Sequence, residues 1–186
     1  MKAEESSRFR TPLGDADWLM AAETLRSQVS LLDREAVGAL VARILRGIEF
    51  LDGTMTRYCE ITCPDCADAC CNGREVFFNQ ADLLYLVASG FEMPEGQTRN
   101  HPFGACRYLG RFGCLLPRTR RPYVCVWFLC ESQIRLLEME PAKFQREFVR
   151  KLEDIRSARL MLEFMYECAF PDPVLPKGHT RRNFRP

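Results

Sequence analysis

Nine of the ten cysteines of this 186-residue chain fall between Cys59 and Cys130, and the run "CEITCPDCADACCNG" alone holds five of them. Ordinary buried thiols behave as small hydrophobes and scatter among apolar positions. A cluster needs another cause. The leading segment "MKAEESSRFRTPLGDADW" is charged and has no apolar signal core, and no window approaches the ~18 apolar residues of a membrane span. A cytoplasmic chain with no membrane span is therefore expected. Thiols there are held reduced, which favours metal or iron-sulfur ligation over a disulfide or redox-thiol scaffold.

The spacing sharpens this expectation. Cys63 and Cys66 form a C-x-x-C pair around Pro64, a tight loop in which two sulfurs converge on one ion while later amide N–H groups point at them. Cys66 and Cys70 share a face if that segment is helical, and Cys59 joins from the preceding turn. Cys70 and Cys71 are neighbours whose side chains diverge; either the backbone bends at Asn72 and Gly73 or the two serve different centres. Cys106, Cys114, Cys125 and Cys130 bring the total to nine thiols, enough for two four-thiolate sites with one to spare. Only His101 and His179 supply imidazole, so catalytic zinc rich in histidine is not expected and His101 reads as a loop residue. All-sulfur ligation suits structural zinc, iron-sulfur or copper(I).

Ligation demands thiolates, whereas a free cysteine is only about 3% ionised at neutral pH. Arg107, Arg111, Arg118, Arg120 and Arg121 lie between Cys106 and Cys125 with no acidic residue among them. That local positive charge would offset thiolate-bound metal, with Arg107 and Arg121 the expected cofactor-binding members. The rival use of the patch is a phosphate or an acidic peptide. Over the whole chain 26 Lys and Arg stand against 25 Asp and Glu, a formal charge of +1. Such balance provides no polyanion-binding field, so no nucleic-acid partner is expected.

The elements read as mainly α with a small irregular, β-hairpin, cysteine-rich core. Residues 1–14 form an expected flexible leader, 15–170 a single domain and 171–186 a basic, proline-rich tail. Within the domain, a helical hairpin over 15–52 has one stripe of Leu19, Leu25, Val29 and Leu32. A second stripe, behind an Asp33 cap, runs through Val37, Leu40, Val41, Ile44, Ile48 and Leu51 and ends at Gly53. Between the cysteine groups, "EVFF" reads as a strand leading into a helix capped by Asn79 and stopped at Gly90. Gly110 and Gly113 punctuate a hairpin inside the cysteine core, 59–130. From Pro141 the longest helix, over 141–168, carries Phe144, Phe148, Leu152, Ile155 and Leu162. That helix, or Lys177, Arg181, Arg182 and Arg185 of the tail, would supply contact with a protein partner.

These residues carry a resemblance. "CPDCADACC" followed by "CRYLGRFGCLLPRTRRPYVCVWFLC" resembles the YkgJ family of cysteine-cluster proteins, described as zinc- or iron-chelating domains, over about residues 59–130. The shared marks are a C-x-x-C ending in a cysteine doublet, a cysteine ahead of a Gly-Cys turn, the Arg121-Pro122 dipeptide and two closing cysteines. The resemblance implies that Cys63, Cys66, Cys70, Cys71, Cys106, Cys114, Cys125 and Cys130 are the family's eight cysteines, with Cys59 and Cys168 additional. Pro117 departs from the pattern, since such proteins often carry tyrosine after the Gly-Cys turn. The family implies a metal centre rather than a reaction.

Two enzyme classes compete with this reading. Cys59, Cys63 and Cys66 spell C-x-x-x-C-x-x-C, the spacing of radical SAM enzymes, but the strand-helix alternation of their barrel does not follow. A thiol-redox enzyme would want a strand before C-x-x-C, which is absent. The expectation is thus an accessory or electron-transfer protein holding a 4Fe-4S cluster or zinc. The alternative is a zinc-stapled structural or interaction module, in which a filled thiolate shell contributes to folding and carries out no chemistry.

Overall fold

A computed structural model of the chain describes residues 14–64, 66–67, 76–99, 104–111 and 113–171. The expected leader and tail, apart from Gly14 and Pro171, lie outside the described residues, as do Cys70, Cys71 and His101. The described residues form six α-helices and one two-stranded hairpin, a mainly α fold with a small irregular core. In chain order these are α1 (Asp15–Val29), α2 (Arg34–Thr62), α3 (Gln80–Ser89), β1 (Leu109–Gly110), β2 (Gly113–Cys114), α4 (Tyr123–Trp127), α5 (Glu131–Glu138) and α6 (Ala142–Ala169). A 3-10 turn, Arg118–Arg120, precedes α4. No helix among the described residues is long and apolar enough to cross a membrane.

The frame is the seam between α2 and α6. Val37, Ile44, Ile48 and Leu51 of α2 are buried, as are Phe148, Leu152, Ile155 and Leu162 of α6, and each such side chain contributes roughly 1.5–3 kcal/mol on leaving water. Gly47 lets the two backbones approach: a Cβ there would lie 2.4 Å from Ile155 Cγ1. Asp33 caps α2 as the sequence predicts, its carboxylate accepting the Ala36 N–H at 2.7 Å.

Gly53 does not end α2. A glycine inside a helix costs only about 1 kcal/mol, and the apolar stripe continues past it through Met55 and Tyr58, both fully buried. The helix therefore runs 29 residues to Thr62, one longer than α6, and carries Cys59 on its final turns. Nor do α1 and α2 form the expected hairpin. The main partner of α1 is α3, and that of α2 is α6. The reason is Trp18, which donates its indole N–H to Pro94 O at 2.8 Å and packs its ring on Phe78. A large aromatic gains more by burial than a leucine, so α1 turns Trp18, Ala21, Ala22 and Leu25 inward and leaves Leu19 61% exposed.

Glu75 of the "EVFF" stretch lies outside the described residues, and residues 76–78 are not a strand. Their backbone is satisfied by side chains instead: Gln97 accepts from Phe78 N–H and donates to Phe78 O, at 2.8 and 2.7 Å, and Thr98 donates to Val76 O. A buried backbone needs partners of some kind, and here an amide takes the place of a neighbouring strand. α3 follows with the predicted ends. Asn79 and Asp82 form a capping box, and Gly90 closes the helix at φ 68°, where a side chain would be strained. The hairpin also stands as predicted, Leu109 opposite Cys114 and Gly110 opposite Gly113.

Asp82 serves α3, α4 and α6 together. Its carboxylate accepts from Asn79 N and from Tyr123 N, both at 2.9 Å, and pairs with Arg159 Nη2 at 2.7 Å. Both partners of that ion pair are buried, and the Arg159 guanidinium lies over the Tyr123 ring, 4.5 Å from its centroid. Burial, opposed by Arg159, pushes the Tyr123 phenol up to about 12.

Candidate metal centre

Continuation of α2 past Gly53 decides the first half of the site. Cys59 and Cys63 fall four residues apart, Cys63 as the C-cap with its N–H on Cys59 O at 2.9 Å, so the two side chains share one face. Cys59 and Cys130 both lie near enough to act on the Cys63 thiol electrostatically. Burial first, and then Cys59, pushes the Cys63 thiol above its ordinary value, although the residue as a whole is exposed. The Cys66 N–H closes a turn onto Cys63 O at 3.2 Å, as the C-x-x-C spacing predicts, and the Cys66 residue is exposed.

Cys130 comes from the other end of a helix. It is the N-cap of α5, its sulfur accepting the Gln133 backbone N–H and its own N–H reaching Gln133 Oε1 at 3.4 Å. The same Gln133 side chain donates through Nε2 to Cys59 Sγ at 3.6 Å and to Thr62 Oγ1 at 3.2 Å. One buried amide thus spans the end of α2 and the start of α5. The signal for it was present in the sequence: glutamine three residues after a capping residue is capping-box spacing, here with cysteine as the cap.

The second half is arranged differently. Cys106 precedes the hairpin, Cys114 sits on β2, Cys125 lies in α4, and all three are half-buried. The Cys125 carbonyl accepts from Arg118 Nη1 at 3.3 Å, while Arg118 Nε pairs with Asp52 of α2 at 2.8 Å. Cys168, on the last turn of α6, is exposed. Among the described residues, no group of three or more His, Cys, Asp or Glu side chains closes into a metal-binding constellation. Cys70 and Cys71, which the spacing assigns to the same loop as Cys63 and Cys66, lie outside the described residues.

Four of the five arginines are tethered within the fold. Arg107 pairs with Asp15 at 2.6 Å, Arg118 with Asp52, and Arg120 with Glu92 at 3.4 Å. Arg121 donates to Leu116 O at 2.8 Å. The hydrogen bond to Asp15 holds the Arg107 guanidinium above its ordinary value. Acidic residues distant in the chain therefore take up charge that the local sequence leaves unpaired, and Arg107 in particular faces α1.

The donor set nonetheless fits a soft cation. Cys59 and Cys63 crowd two sulfurs at the C-terminal end of a helix, where the backbone dipole is negative and α2 places no basic residue in its last turn. Two thiolates there repel each other and the helix end, and a cation between them relieves both. Comparison of the chain with family models, with curated proteins and with solved structures finds no match.

Proposed function

We propose that this chain is a metal-binding protein of the YkgJ type, holding a 4Fe-4S cluster or zinc through clustered cysteine thiolates. The observation that carries the reading is the placement of Cys59 and Cys63 four residues apart at the end of α2, joined through Gln133 to the turn where Cys130 caps α5. Cys66, Cys70 and Cys71 would complete that loop's donors, and Cys106, Cys114 and Cys125 would serve a second centre or the far side of the same one. An iron-sulfur cluster would supply one-electron transfer when bound, in an accessory or electron-transfer protein of the cytoplasm. The chain's own part is to bring two helix ends together, supply sulfur donors and keep them oriented through Thr62 and Gln133.

A zinc-stapled interaction module is the second reading. It is favoured by the position of the donors, which join two helix ends that one amide otherwise bridges. Anaerobic purification followed by elemental analysis separates the two. Iron and sulfide, with visible absorbance bleached by dithionite, are expected for the cluster; colourless protein with stoichiometric zinc marks the module. Cys59→Ser and Cys63→Ser should lose bound metal in either case, while Cys168→Ser should keep it. Wild-type protein free of both metals, or cysteine variants with full metal content, would overturn the assignment.

A further inference from the structure

Gln133 is 6% exposed and every polar atom of its side chain has a partner. Its orientation is determined by those partners. The Cys130 backbone N–H can only donate, so the amide oxygen must face it and the nitrogen must face Cys59 and Thr62. Thr62 agrees with this arrangement: its hydroxyl proton goes to Tyr58 O at 2.8 Å, which leaves Oγ1 to accept from Gln133. One amide hydrogen is thereby aimed at the Cys59 sulfur. Among the described residues no Lys or Arg pairs with that sulfur, so a neutral donor is what it receives.

We infer that Gln133 is a positioning residue for the metal centre, whose side-chain N–H donates to the Cys59 thiolate and sets both its orientation and its donor strength. The inference rests on the metal-binding reading and goes beyond it by separating two tasks in one side chain. The carbonyl oxygen caps α5, which is structural. The N–H is directed at sulfur, and a hydrogen bond to a ligating sulfur withdraws electron density from it and stabilises the lower charge state of the metal. Partners of this kind typically account for 10- to 100-fold in metal affinity.

Cobalt(II), titrated anaerobically into the full chain, is the probe, with affinity measured by competition and sulfur-to-cobalt charge-transfer absorbance as the spectroscopic readout. Gln133→Leu removes both tasks. Gln133→Glu keeps the acceptor for Cys130 N–H and loses the donor, so the α5 cap survives while a carboxylate faces Cys59. Both variants should bind cobalt roughly 10- to 100-fold more weakly than wild type, with the charge-transfer bands moved to lower energy and the far-ultraviolet circular dichroism unchanged. Folded variants that match wild type in affinity and band position overturn the role of Gln133 and leave the metal centre standing. A wild-type chain that takes up neither cobalt, zinc nor iron overturns the metal centre itself. Loss of fold in both variants makes Gln133 a packing residue and overturns its role at sulfur.

Discussion

The middle and the end of α2 belong to one helix and meet opposite kinds of surface. At the middle, Ile44, Gly47, Ile48 and Leu51 close against Ile155 and its neighbours on α6, a dry seam in which a glycine admits a branched side chain. At the end, Cys59, Thr62 and Cys63 meet Cys130 and Gln133 of α5 through sulfur and amide contacts, in half-exposed surroundings. Apolar area removed from water stabilises the first without help. The second gains little from burial, and burial and Cys59 oppose ionisation of Cys63 there. The difference teaches where an ion would act: at a junction that the fold brings together without filling.

The comparison breaks most severely at Asp82, which ties α3, α4 and α6 into the frame. Asp82→Ala leaves the buried Arg159 without its carboxylate and frees the Tyr123 N–H, and should cost about 4 kcal/mol in urea unfolding of metal-free protein. A loss below about 1 kcal/mol would show that the seam holds without its polar tether. Alkaline titration is the next test. Burial pushes both Tyr85 and Tyr123 up to about 12, so between the ordinary phenol value near ~10 and about 12 the folded chain binds protons that the unfolded chain has released. Stability should fall across that window as pH rises, and be intact below it. Tyrosinate absorbance showing every phenol ionising together near ~10 in folded protein would refute this.

The smallest expected effect sharpens the contrast. Removing bound metal should leave most of the helical circular dichroism in place, because the α2–α6 seam holds no cysteine among its buried residues. Hydrogen exchange should quicken in the last turns of α2 and the first turn of α5 and stay slow through the middle of α6. Collapse of all helices together would mean that the two ends of α2 are one cooperative unit.

Much of the frame was legible in the chain. The Asp33 cap, the Asn79 start and Gly90 stop of α3, the Gly110–Gly113 hairpin and the stripe of α6 all rest on local rules, in which a residue acts on backbone within a few positions of itself. Where local rules are silent, the fold departs from the local pattern. A lone glycine such as Gly53 weighs the same wherever it stands, yet Met55 and Tyr58 beyond it are buried and carry the helix on. Likewise "EVFF" has strand composition, but its hydrogen-bonding neighbour turned out to be the side chain of Gln97. The short helices α4 and α5 have no local signature of the usual kind, since one is anchored by Asp82 and the other capped by a cysteine.

By itself the sequence determined that this chain is mainly helical and that its thiols are gathered in two groups on either side of α3, because periodicity, caps and spacing are written in consecutive residues. Only the tertiary structure decided that the end of α2 meets the start of α5, that Gln133 stands between them and that Arg107, Arg118 and Arg120 answer to Asp15, Asp52 and Glu92. Those pairings join residues 28 to 92 positions apart. Which of many such partners a side chain meets is set by how α2, α5 and α6 pack, and no local pattern records that choice.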